Sequence, residues 1–106
     1  MMVKYSPDAA DRLRQIKNEL GKKTAGIITG KIRSLSDNPR IGASIENMLG
    51  ISSPFYFLHT ENHYVFYKID DNTVYVDAIY NEREDFLWKM FRIRLRTQDS
   101  IDYWGE

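Results

Sequence analysis

A mixed α+β domain is the architecture this 106-residue chain predicts. Two helical apolar stripes come first, three segments of strand-like alternation follow from residue 55, and a helical pattern returns after residue 82. Short turn signals join these segments, with no internal repeat and no low-complexity linker, so residues 1–106 are expected to form one domain.

Met2 to Tyr5 is short and partly apolar, which suits a first strand. Ser6-Pro7-Asp8 then supplies an N-cap hydroxyl, a proline at the first helical position and an acid facing the helix dipole. Ala9, Leu13, Ile16 and Leu20 continue as one apolar stripe, with Arg12, Arg14, Lys17 and Glu19 on the other face, and Gly21 ends the helix. Thr24 is the expected cap of a second helix whose stripe is Ala25, Ile28, Ile32 and Leu35. Asn38 is pushed out of helical angles by Pro39, so the second helix stops before it and the two helices form an antiparallel hairpin.

Gly26 and Gly30 sit inside the second helix, where each costs about 1 kcal/mol against alanine. Close approach to the first helix is the expected compensation. Residues from Pro39 to Pro54 are expected to form a loop. Phe55 to Thr60, His63 to Asp70 and Thr73 to Tyr80 are rich in aromatic and β-branched residues, and Glu61-Asn62 and Asp71-Asn72 are the length of hairpin turns. An antiparallel meander results, with Val65, Tyr67 and Ile69 opposite in face to Tyr64, Phe66 and Lys68, and Val74, Val76 and Ala78 opposite to Tyr75, Asp77 and Ile79. Both faces carry apolar groups, so one covers the helices and the other is partly wet. From Glu82 a final helix is expected, with Phe86, Met90 and Ile93 in line, acids at its start and Lys89, Arg92, Arg94 and Arg96 towards its end.

Fifteen Lys plus Arg balance fifteen Asp plus Glu, so no overall field draws the protein to nucleic acid, and any such contact needs a local patch. Cysteine is absent, which removes disulfides and thiolate nucleophiles together and fits a reducing, cytoplasmic setting. The start MMVKYSPDAADRL has no signal-peptide pattern and no run is long enough to cross a bilayer, so no membrane role is expected.

His59 and His63 flank a tight turn, yet two imidazoles without further His or Cys nearby make a poor metal site, and hydrogen-bonding surface histidines are expected. Tyr67 is assigned to the core, while Tyr80 is open between core and site. Arg83 and Asp85 stand where the last strand hands over to the final helix. Lys89, Arg92 and Arg96, with Trp104 in the 97–106 tail, combine charge with large apolar groups and form a candidate partner-binding surface.

"YSPDAADRLRQI", "IRSLSDNPRIG", "HYVFYKIDDNTVYVDAI" and "REDF", in that order and spacing, together resemble the RelE/ParE superfamily of toxins from bacterial type II toxin-antitoxin pairs. The resemblance covers nearly all of residues 3 to 91. It implies a compact α+β toxin that stops growth when free, is held inactive by a cognate antitoxin, and meets operator DNA only through that antitoxin. No metal or cofactor is implied. The module is expected to be of the plasmid stabilisation type; within the superfamily the RelE-like branch cleaves messenger RNA on the ribosome and the ParE-like branch poisons DNA gyrase.

His63 before "YVFY", and Ile79 followed by Arg83 and Asp85, are similar to the ParE pattern, although Tyr80, Asn81 and Glu84 replace its leucine, histidine and methionine. Tyr64 stands where the RelE-like branch places an arginine, Phe55 to Thr60 holds no Lys or Arg, and Trp88 and Lys89 occupy the place of that branch's tyrosine. Gyrase-directed action is therefore the expectation, with Arg83 as the working cation oriented by Asp85. The alternative is an endoribonuclease in which Arg83 stabilises the phosphate while His63 or Tyr80 moves a proton. A third class is a binding module that keeps the fold without the activity.

Overall fold

A computed structural model describes residues 2–83. The chain forms strand β1 (Met2–Tyr5), helices α1 (Pro7–Leu20) and α2 (Lys22–Ser34), strand β2 (Ala43–Ser44), helix α3 (Ile45–Leu49) and strands β3 (Phe55–Thr60), β4 (His63–Asp70) and β5 (Thr73–Asn81). One five-stranded sheet results, in the order β1-β5-β4-β3-β2. β1 runs parallel to β5 and every other pairing is antiparallel. The α+β class, the leading strand, the helix pair and the meander are as the sequence predicts. The expected final helix, with Asp85, Lys89, Arg92, Arg96 and Trp104, lies outside the described residues.

Ser6 makes the first corner. Its hydroxyl oxygen accepts from the Ala9 N–H at 3.0 Å, the expected cap, and its own O–H donates to the Asp77 carbonyl at 2.6 Å. The Ser6 N–H also donates to the Val76 carbonyl at 2.9 Å. One residue thus starts α1 and ties that start to β5. The second helix differs from expectation at its start: it begins at Lys22, not after Thr24, with Gly21 at the junction in a positive-φ conformation (φ 95°) that lets two helices meet without a linker.

Both hairpins have two-residue loops, Thr60 pairing with His63 and Asp70 with Thr73. Glu61, Asn62, Asp71 and Asn72 all adopt positive φ, the geometry of the hairpin turns that match strand twist, here reached without glycine. Between Pro39 and Pro54, where the sequence predicts a loop, β2 and α3 form. Ser44 accepts from the Asn47 N–H at 3.3 Å, and Gly50 closes the helix at φ 70°.

The apolar core lies between the helices and one sheet face. Ala9 and Ile16 of α1, and Ala25, Ile28 and Ile32 of α2 with Leu35 just beyond it, meet Leu58, Val65, Tyr67, Val74, Val76 and Ile79. Leu20, at the end of the predicted α1 stripe, is 53% exposed. A second cluster, Ile45, Phe66 and Ala78, lies on the other sheet face, with Phe55, Phe57, Tyr64 and Tyr80 packed against it. Burial on both faces follows the sequence pattern, but its phase changes. Phe66 pairs with Ala78 and Tyr67 with Val76, so Asp77 is an extra residue in β5. Such a bulge reverses the alternation beyond it. Ile79, expected opposite to Val76, therefore joins Val76 in the helix-side core, and Ala78 turns away.

The predicted reason for Gly26 and Gly30 fails. A methyl group built on either meets nothing within 4 Å, so neither glycine allows a close approach to α1.

Candidate functional site

The bulge at Asp77 decides what stands on the sheet face away from α1 and α2. His59 pairs with Tyr64 and Tyr64 with Tyr80, placing one residue from each of β3, β4 and β5 in a row on that face. The His59 and Tyr64 rings lie 4.9 Å apart, and Phe57 meets Tyr64 edge-on at 5.6 Å. Without the extra residue, Tyr80 would point towards the helices.

At the end of the row, His59 Nε2 lies 2.8 Å from Glu82 Oε2, with the two side chains 48% and 41% exposed. A carboxylate oxygen can only accept, so Nε2 carries the proton of this hydrogen bond, leaving Nδ1 for another partner. Glu82 is held by its backbone, whose N–H donates to the Asn62 carbonyl at 2.8 Å. The next residue, Arg83, is positioned by an N–H that donates to Asn81 Oδ1 at 2.9 Å. Its side chain is exposed and makes no ion pair with a described residue.

His63 is placed differently from the expected surface histidine. It is 3% exposed, and its Nδ1 lies 2.7 Å from the Glu61 carbonyl oxygen. The carbonyl must accept, so Nδ1 is protonated, and this imidazole braces the β3–β4 turn. Sequence reasoning passes over His59 and Glu82 as a pair. They are 23 residues apart and become neighbours only through the hairpin register, so local spacing carries no signal.

Tyr67 is fully buried, as assigned from the sequence. Its hydroxyl donates to the Pro39 carbonyl at 2.8 Å and accepts from the Gly42 N–H at 3.1 Å. Burial pushes its pKa above the usual phenol value, the Gly42 hydrogen bond pulls it down, and neighbouring Tyr56 raises it. This tyrosine anchors the segment leading into β2 and α3.

Among the described residues, cations are sparse on the sheet face away from α1 and α2. Lys68 of β4 lies over the Phe55 ring at 5.9 Å, and Arg83 is at the corner. Among the described residues no group of three or more His, Cys, Asp or Glu side chains could hold a metal ion. None of the described helices is long and apolar enough to cross a membrane.

A parallel β1–β5 pair, an antiparallel meander and a two-helix layer on one face define the class: this is the fold of the RelE/ParE superfamily of toxins. The model of the family described as "ParE toxin of type II toxin-antitoxin system, parDE" matches residues 3–86, well over half the chain, and the chain belongs to that family. Among solved structures it is similar to the YoeB dimer from Staphylococcus aureus, at 20% identity over 76% of this chain and 94% of that one, TM-score 0.58. It is also similar to the chromosomal ParDE system of P. aeruginosa, at 15% identity over 76% and 95%, TM-score 0.57. The intact E. coli RelBE complex matches at 16% identity over 76% and 100%, TM-score 0.52. These likenesses establish the fold. No curated protein sequence matches the chain.

Proposed function

We propose that this toxin arrests growth by acting on DNA gyrase and is neutralised by a cognate antitoxin that covers it. The observation that carries this reading is the charge arrangement at the open-face row. Phosphodiester cleavage needs cations where negative charge develops, yet the group beside His59 is the carboxylate of Glu82. Exposed Arg83 next to an aromatic row suits contact with a protein surface, where Tyr and Arg are the favoured anchors. The ParE character of the family match over residues 3–86 supports the same direction.

A second reading rests on one specific feature. His59, fixed by Glu82, has the form of a proton-transfer pair, and with Arg83 it could serve an endoribonuclease, taking the place expected for His63.

The test is expression of the chain alone from a tight promoter, with growth, messenger RNA and plasmid topology followed in one culture, beside a supercoiling assay with purified gyrase. Growth arrest with intact messages and inhibited gyrase is expected. Arg83→Ala should fold normally and lose toxicity. Arrest with cut messages and unaffected gyrase, abolished by His59→Ala, would install the endoribonuclease instead. Soluble, folded protein that leaves growth untouched would overturn both.

A further inference from the structure

Arg83 follows Glu82 directly in the chain, and both lie in the turn that leaves β5. An exposed arginine beside a glutamate ordinarily shares a weak ion pair with it. That pair does not form here. The Glu82 carboxylate is engaged instead by His59, 23 residues away in the chain, with Nε2 at 2.8 Å from Oε2. The Arg83 side chain is left exposed and without an ion pair to a described residue.

The backbone holds both residues where this division of partners can occur. The Glu82 N–H donates to the Asn62 carbonyl at 2.8 Å, which fixes Glu82 against the β3–β4 turn. The Arg83 N–H donates to Asn81 Oδ1 at 2.9 Å. With both amides anchored, only the side chains choose partners. His59 is set in place from the other side, by its strand pairing with Tyr64 and by a ring contact with it at 4.9 Å. A carboxylate only accepts, so Nε2 keeps its proton whether the imidazole is neutral or charged. The hold on Glu82 therefore does not depend on His59 carrying a charge.

We infer that His59 is a positioning residue of this site: by holding the Glu82 carboxylate it keeps that acid off Arg83 and leaves the guanidinium available to the target. A guanidinium only donates, so the contact it is kept for is with carboxylates or backbone carbonyls on the target's surface. The inference rests on the reading of Arg83 as the cation that meets gyrase. It gives the imidazole a task different from proton transfer, because His59 acts on Glu82 and never on a substrate.

The experiment measures inhibition of gyrase supercoiling by the purified full chain, as the concentration giving half inhibition. The parent is compared with His59→Ala, His59→Gln and the double variant His59→Ala with Glu82→Gln, and thermal unfolding checks that each is folded. Freed from His59, the carboxylate competes for Arg83, so His59→Ala should need about three- to fivefold more protein, the range that an exposed ion pair supports. His59→Gln should recover most of that loss, since its amide nitrogen donates from nearly the place of Nε2. The double variant should recover it as well, because an uncharged amide competes poorly for a guanidinium. Proton–nitrogen NMR reads the same event without gyrase: the Arg83 Nε–H resonance should shift in His59→Ala and return towards the parent position in the double variant.

A clasp that merely stabilised the turn would leave the double variant as weak as His59→Ala, and that result would overturn the inference. Loss of inhibition in both His59→Gln and the double variant would do the same by making the imidazole itself indispensable. So would His59→Ala as potent as the parent, or an Arg83 resonance that does not move in it. In each of these cases the gyrase reading stands. If the parent chain itself leaves gyrase unaffected, the functional reading falls and this inference with it.

Discussion

Gly42 and the Gly26–Gly30 pair are the same residue type under opposite demands. A methyl group on Gly42 would lie 2.5 Å from the Tyr67 hydroxyl and 2.6 Å from the Phe57 carbonyl oxygen, both inside contact distance. On Gly26 or Gly30 it would meet open space. The first glycine is required by packing within the chain. The other two meet no packing demand among the described residues, and the difference separates a glycine that the fold needs from glycines that it tolerates.

The largest effect that could break this contrast is expected at Gly42. Gly42→Ala should destabilise the chain by about 2–3 kcal/mol, because a carbonyl and a buried ring must both shift. Urea unfolding measures it, and a change below the error of the method would place this glycine with the other two. Tyr67→Phe comes next. It strands the Pro39 carbonyl and the Gly42 N–H and should cost about 1–2 kcal/mol.

The two substitutions should not add. Removing the hydroxyl at 2.5 Å relieves one of the two clashes, so Gly42→Ala should cost less in a chain already carrying Tyr67→Phe, leaving the Phe57 carbonyl as the remaining obstacle. Full additivity in the double-mutant cycle would mean that the backbone contact alone sets the cost.

The same tyrosine gives an alkaline signature. Its pKa is raised in the folded state, chiefly by burial, above the phenol value of 10.0. A raised pKa means that the neutral form is favoured by folding, so its contribution is complete below pH 10.0 and is lost as pH climbs through the folded-state value. Tyr5 is raised too, by burial opposed by Arg33, so the whole chain should weaken at alkaline pH. Tyr67→Phe should weaken less steeply than the parent there. Identical slopes in both chains would remove Tyr67 from the cause.

How far the sequence reveals this arrangement depends on whether a feature is local. Ser6-Pro7-Asp8, the α2 stripe and the two hairpins announce themselves because caps, helical spacing and turn length act within a few residues. Asp77 illustrates the opposite case. At its bulge the Asp77 carbonyl accepts from Ser6, 71 residues away, and the shifted register puts Tyr80 in line with His59 and Tyr64. The β2–α3 segment has a legible frame in Ser44 and Gly50, but five helical residues are too few for periodicity to stand out. His63 is visible as a histidine before a tyrosine-rich strand, whereas its burial belongs to a position paired with Thr60 of β3 and Asn81 of β5, which no local pattern announces. The place of Arg83 just past the last strand is legible because the alternating apolar pattern of β5 stops before it.

The smallest expected effect is also the most discriminating. Gly26→Ala and Gly30→Ala should each stabilise the isolated chain by about 0.5–1 kcal/mol, since alanine is the better helix former and reduces the freedom of the unfolded chain. Thermal unfolding of the free toxin reads the sign directly. Destabilisation would mean that these positions are packed in the free protein after all, and the contrast with Gly42 would collapse. Stabilisation on its own would establish only that the fold does not need glycine there.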